Sequence, residues 1–263
     1  ALRQHLLDSG CDLAVHSLKD LPTAQPEGLV LASIPPREDV RDALCSRDSL
    51  GLDQLPQGAK IGTGSPRRAA QLLAYRSDLQ IVDIRGNVPT RLGRVKGVGE
   101  TLDDGSVGRG TQGDLDAVIL AAAGMRRLGL EKHITEYLDP AIMLPAPGQG
   151  ALALETRTAG SGHKALDAAL AQFDDAATRM QVEAERALLA ELEAGCAAPI
   201  GALAHIEGDE LVLEAVACNP DGSQTMRRSA RTAASSVQSA QQLGRSLAQS
   251  MIADGAAVVA GLA

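Results

Sequence analysis

The sequence predicts an α/β fold of two α/β domains joined by two crossing segments, with a small α+β domain at the C-terminal end. Three observations carry this. Short apolar runs alternate with helical periodicity between residues 12 and 128, the spacing of strand–helix units around a largely parallel sheet. Two stretches, residues 37–42 and 142–156, interrupt that alternation as chain crossings between domains would. After residue 200 the pattern changes to two or three strands and a closing helix, which marks an α+β unit. The expected domains are residues 1–36 with 145–165, residues 37–144, and residues 166–263.

Each element follows from local chemistry. Residues 2–9 read as the last turns of an amphipathic helix closed by Gly10. Residues 12–17 form a strand ended by the turn Lys19-Asp20-Leu21-Pro22, and residues 29–34 a second strand stopped by Pro35 and Pro36. The polar crossing R-E-D-V-R-D (37–42) runs into Ala43-Leu44-Cys45. A strand at 60–62 and a glycine-containing turn lead to a helix over 66–76, with proline where its missing N–H is harmless. Then come a strand at 79–84, the turn Arg85-Gly86-Asn87, a helix opening at 90–95, a buried strand at 116–121 and a helical turn at 124–128. The glycine-rich residues 97–113 lack apolar periodicity and read as a mobile surface insertion with no direct catalytic part. The return crossing P-A-P-G-Q-G enters the strand-like A-L-A-L-E-T. A helix over 174–193 ends in Ala194-Gly195-Cys196, strands follow at 201–206, 210–218 and 225–232, and a helix spans 236–252.

Composition excludes several functions. The 263 residues are 44% hydrophobic, enough for a sizeable core, and carry a net charge of −8. With no Trp, two Tyr and one Phe, the chain lacks the stacking platforms of single-strand nucleic-acid binders, and its acidity speaks against duplex binding. No apolar run approaches a membrane span and the first residues lack a signal peptide's apolar core, so the expectation is a soluble, cytoplasmic protein. The four cysteines are far apart, with no C-x-x-C pair, and predict neither a disulfide framework nor a metal site.

Charge is uneven. Between Lys60 and Lys96 stand eight basic residues and two acids, a local balance of +6, and six of the eight are arginine. Arginine's planar fork matches carboxylates and phosphates bidentately. Arg67 and Arg68 follow G-T-G-S and Arg85 precedes Gly86-Asn87, turn positions where helix N-termini add to the pull on anions. The inference is a site for a small molecule with several anionic groups; a solvated basic face is the plain alternative. Lys19 and Asp20 stand where a strand ends, the usual ligand edge of open α/β sheets, and a carboxylate there can exchange protons; a surface ion pair on an ordinary turn accounts for them equally. Cys196 lies between small residues that leave a thiol accessible for covalent chemistry.

Seven blocks, in order, resemble the porphobilinogen deaminases, also called hydroxymethylbilane synthases. They are V-H-S-L-K-D-L-P (15–22), R-E-D-V-R-D-A (37–43), I-G-T-G-S-P-R-R (61–68), I-R-G-N-V-P-T-R-L (84–92), A-A-G-M-R-R-L-G-L (122–130), L-P-A-P-G-Q-G-A (144–151) and G-C-A-A-P-I-G (195–201). The resemblance implies two periplasmic-binding-protein-like domains plus the small third one. It also implies stepwise condensation of four porphobilinogen molecules into a linear tetrapyrrole, with loss of ammonia, on a dipyrromethane cofactor held by a thioether. By position, Cys196 is the attachment point and Asp20 the catalytic carboxylate. Lys19, Ser17, Thr63, Ser65, Arg67, Arg68 and Arg85 take the positions that hold the cofactor, and Arg91, Arg127 and Gln149 those that hold substrate. Porphobilinogen is then the partner, with no nucleic acid, membrane or second subunit. Relative to the family pattern, an N-terminal segment with the first strands is missing, so the expectation is an incomplete piece of an active parent. Gly64 and Pro66 replace commoner serine and leucine. The competing reading is a non-catalytic, two-domain anion-binding protein of the periplasmic-binding type, which leaves Cys196 without a task. A dinucleotide site is weaker still, because G-T-G-S-P-R lacks the third glycine.

Overall fold

The computed structural model describes residues 2–98, 113–193 and 198–261. Residues 99–112 of the glycine-rich stretch and Cys196 lie outside them.

The chain opens with α1 (Leu2–Leu7), which buries Leu6. The residue that turns left-handed after it is Ser9, with φ 59°, and not Gly10, whose N–H donates to the His5 carbonyl at 2.8 Å. β1 (Ala14–Ser17) leads through a single 3-10 turn, Leu18–Asp20, towards β2 (Leu29–Ser33). After the first crossing come β3 (Asp42–Ser46), β4 (Lys60–Gly62), α2 (Pro66–Tyr75), β5 (Gln80–Val82) and α3 (Val88–Leu92), the last capped by Asn87, whose side chain accepts from the Thr90 N–H. β6 (Ala117–Ala121), α4 (Ala122–Arg127) and β7 (Glu136–Tyr137) complete this unit.

Its five strands run in the order β5-β4-β6-β3-β7, and the largely parallel sheet expected from the alternation is only half parallel. β4 pairs parallel with β5 and β6, whereas β3 pairs antiparallel with β6 and β7. Parallel pairing requires a crossover connection, which α2 supplies between β4 and β5. β3 enters straight from the crossing segment without one. The apolar faces are filled by Leu44, Ile61, Leu72 and Ile119 on one side and Ile84, Val118, Leu120 and Met125 on the other.

The chain then returns to β8 (Leu152–Arg157), which lies between β1 and β2 and is antiparallel to both. This sheet has no parallel pair. α5 (Lys164–Phe173) follows, a helix the sequence reading passes over; it buries only Leu170. α6 (Ala176–Glu191) starts at Asp175, which accepts from the Thr178 N–H. β9 (Ile200–Glu207), β10 (Glu210–Cys218) and β11 (Thr225–Ala233) make an antiparallel meander, and α7 (Val237–Ala253) and the short α8 (Ala256–Val259) close the chain. α6 and α7 cover one face of the meander through Leu188, Ala184, Ala240 and Met251. They touch at Gly244, where a Cβ would stand 2.2 Å from the Ala184 carbonyl oxygen.

The two crossings run side by side. The Glu38 N–H donates to the Gly150 carbonyl at 3.0 Å, and Gly150, with φ 83°, has no room for a Cβ, which would meet the Glu38 oxygen at 2.5 Å. Among the described residues no helix is long and apolar enough to cross a membrane.

Candidate functional site

β1 delivers the first site residues. Leu18, 1% exposed, anchors the turn in the core and its N–H donates to the Ala151 carbonyl, so Lys19 and Asp20 are set at the strand's end. Lys19 is half-buried and Asp20 exposed. From the other side, α2 begins at Ser65 with Pro66 in its first turn, and its next two residues turn inward: Arg67 and Arg68 are buried. Ser65 makes no side-chain capping bond, which leaves its hydroxyl free of that task.

Both arginines meet one carboxylate. Asp42, fully buried at the start of β3, lies 2.8 Å from Arg67 Nη2 and accepts from Arg68 Nη2 at 2.7 Å and Nε at 3.0 Å. Arg67 Nη1 also donates to the Leu144 carbonyl at 2.7 Å, and Arg68 Nη1 to that of Ile119 at 3.0 Å. Burial by itself would raise the pKa of Asp42. The two guanidinium charges and the hydrogen bonds from Arg68 and Gln149 outweigh it and hold the carboxyl well below the usual range. Lys19 moves the other way for a cation: burial, then the charge of Arg68, lowers its pKa to about 8. Three cations thus face one buried carboxylate, and the buried Arg67 Nε has no hydrogen-bond partner. Such a cluster attracts anions and orients them.

Two cavities meet at Lys19. The smaller, about 40 Å³, is lined by Lys19, Ser65, Arg67 and Ala198, drawn from all three sheets' neighbourhoods. The larger, about 570 Å³, is lined by Ser17, Lys19, Glu38, Gly124, Arg126 and Arg127. Arg126 is held by Glu38 at 2.7 Å and Glu131 at 3.1 Å. Arg127 is exposed on this cleft.

The other expected site residues fall in different places. Thr63 is buried, its hydroxyl accepting from the Ser65 N–H at 3.2 Å, so it pins the turn. Arg91 donates from Nε to the Gly86 carbonyl at 2.8 Å, and burial and the charge of Arg68 lower its pKa. Arg85 is outside both cavities, with its side chain 88% exposed and 3.6 Å from Asp83. Gln149 departs most from the expected substrate contact: it is 0% exposed and its amide is spent on protein partners. Cys196 lies outside the described residues; Ala198, two residues along the chain, lines the small cavity.

The sequence reading missed Asp42, Arg37 and Glu185. A signal was there, since a carboxylate opening the apolar strand D-A-L-C-S must be paired if buried. Which cations pair with it is a matter of residues 25 and 26 positions away. Among the described residues no cluster of metal-ligating side chains exists.

The family and sequence comparisons agree with each other. Residues 1–165 match the family described as "Porphobilinogen deaminase, dipyromethane cofactor binding domain", and residues 179–253 match "Porphobilinogen deaminase, C-terminal domain". The porphobilinogen deaminase of Cutibacterium acnes is 52% identical over 273 residues, covering all of this chain and 80% of its own length. That of Micrococcus luteus is 54% identical over 87% of this chain and 65% of its own. Among solved structures, a YaeC-family lipoprotein from Enterococcus faecalis is similar at 14% identity and a TM-score of 0.32, over 55% of this chain and 61% of that one. Identity above one half along the whole chain, on top of two matching family profiles, leaves one conclusion: the chain belongs to the porphobilinogen deaminase family.

Proposed function

We propose that this chain carries out its family's reaction, the stepwise condensation of porphobilinogen into a linear tetrapyrrole with release of ammonia, through the residues gathered around Lys19. The observation that carries the reading is the cluster of half-buried Lys19 and buried Arg67 and Arg68 against the single carboxylate of Asp42. Three positive charges and one negative charge leave two positive charges to be balanced, and a pyrrole chain bearing acetate and propionate groups supplies that balance.

The residues at the small cavity fit a carboxylate arm of a dipyrromethane. Arg67 Nε is buried without a partner, Ser65 has an uncommitted hydroxyl beside it, and Ala198 brings the chain that follows Cys196 to the same small cavity. Once bound, the dipyrromethane supplies the pyrrole end to which each new unit is joined. Cys196 would hold it as a thioether, and Ser17, Lys19, Thr63, Ser65, Arg67 and Arg68 would serve its carboxylates, with Arg85 standing outside both cavities. Arg91 and Arg127 bind those of the incoming substrate, Arg127 from the exposed wall of the large cleft. Asp20, exposed next to Lys19, offers an anion to the cationic carbon left when ammonia departs and accepts the proton released on coupling.

In this reading the enzyme is a cytoplasmic monomer acting on a small molecule, with domains at residues 1–36 with 145–165, 37–144 and 166–263, a division that the grouping of the strands into separate sheets supports. The non-catalytic anion-binding alternative has no use for Asp20 or Cys196. Intact mass of the purified enzyme tests the reading. The expected result is an increment of two pyrrole units that disappears in Cys196→Ser; an unmodified parent chain would sink it.

A further inference from the structure

We propose that Gln149, seated on Asp42, is a positioning residue for Lys19 and acts on the reaction without touching substrate. The inference rests on the reading that Lys19 serves ligand carboxylates. Gln149 is fully buried, and its amide orientation is decided by its partners. Nε2 donates to two acceptors, the Val40 carbonyl at 2.8 Å and Asp42 Oδ1 at 2.9 Å. Oε1 is therefore the atom left to accept from Lys19 Nζ, at 3.3 Å. A flipped amide would set its oxygen against two acceptors and its NH2 against an ammonium.

Neither end of this relay can drift. Asp42 is gripped by Arg67 and Arg68. Gln149's own backbone is fixed by its N–H to the Ala146 carbonyl at 2.9 Å and by Arg37 Nε on its carbonyl at 2.9 Å, between Gly148 and Gly150 at φ 75° and 83°. A lysine side chain is otherwise a flexible cation with high rotamer entropy. One fixed acceptor selects the arrangement that places Nζ at the border of the two cavities, both of which Lys19 lines.

A neutral amide suits this position better than a carboxylate. Glutamate would neutralise Lys19 and repel Asp42, halving the positive excess that the site holds for ligand anions. The glutamine dipole orients the cation and leaves its charge available. Lys19 is faced by Asp20 on its own turn, by Asp42 from β3 and by Arg67 and Arg68 from α2, with Glu38 and Arg127 on the large cleft.

The test follows Lys19 itself in the holoenzyme. Its pH titration is read as the rate of pulse labelling by acetic anhydride, quantified on the Lys19 peptide by mass spectrometry, alongside kcat and KM for porphobilinogen. In Gln149→Met the ammonium loses its acceptor, so the titration moves down by about half a unit, read as about threefold faster labelling at pH 7. In Gln149→Glu a carboxylate replaces the amide and the titration moves up, with slower labelling. A residue that merely fills space would not shift Lys19 in opposite directions. Unmoved titration in both variants, with melting temperatures near that of the parent, overturns the proposal. Should Gln149→Met fail to fold, Gln149→Glu, which keeps the size and the acceptor, decides alone. Lys19→Met separates the two readings: full activity there removes Lys19 from the ligand site, whereas loss of activity with an unmoved Gln149 series removes only the relay.

Discussion

Arg37 and Glu185 form a two-point ion pair, Nη1 to Oε1 at 2.7 Å and Nη2 to Oε2 at 3.0 Å, across 148 residues of sequence. Glu185 also accepts from the Gly148 N–H at 2.6 Å and the Ala204 N–H at 2.8 Å. One buried carboxylate on α6 thus ties the first crossing, the return crossing and β9 together. Removing either partner leaves a buried charge without its counterpart. Glu185→Met and Arg37→Met should each lower stability by about 3–5 kcal/mol, and the double variant by less than the sum. Chemical denaturation of the three variants checks this; additive losses would show that the pair does not act as a unit.

Asp20 is exposed, so its charge is not needed for folding. Asp20→Asn should melt within a few degrees of the parent and retain the covalent pyrrole increment, yet turn over porphobilinogen about 100-fold more slowly or worse. Steady-state assay together with intact mass separates loss of chemistry from loss of cofactor.

Lys19 should weaken the fold it serves. Its pKa is about 8 in the folded chain and 10.5 as the ordinary value, so the unfolded chain holds more protons between those limits and stability rises with pH there. Below about pH 8 the burden of a half-buried cation is present in full; above about 10.5 it is gone. Lys19→Met should therefore be more stable than the parent at pH 7, by on the order of 1–3 kcal/mol, and the gain should shrink towards pH 10. Thermal melts across that range measure it. A gain that grows with pH would contradict the sign.

Gly244 offers a case where two effects oppose. Alanine is favoured over glycine inside a helix by about 1 kcal/mol. At this position, however, the new Cβ would stand 2.2 Å from the Ala184 carbonyl oxygen, and α6 would have to move. Gly244→Ala should destabilise by about 1–3 kcal/mol despite its better helix propensity. A neutral or higher melting temperature would show that α6 and α7 separate more easily than their shared core implies.

The positions of strands and helices were largely legible, because they depend on neighbours in sequence. The strand at 60–62 coincides with β4, and the helix over 66–76 with α2 to within a residue. α5 escapes the sequence reading although Leu166, Ala169, Leu170 and Phe173 recur at helical spacing; of its residues only Leu170 is buried. The seven blocks identified the family for the same local reason: each is a short run of residue types whose order survives without knowledge of contacts. What the sequence by itself determined was therefore element type, the concentration of arginine between Lys60 and Lys96, and the family. Only the tertiary structure decided that β1, β8 and β2 pair antiparallel, that Arg67 and Arg68 share the carboxylate of Asp42, and that Gln149 faces Lys19 instead of the cleft. Those outcomes depend on which groups are buried together, and burial joins residues such as Lys19 and Gln149, 130 positions apart, by a free energy that no local pattern records.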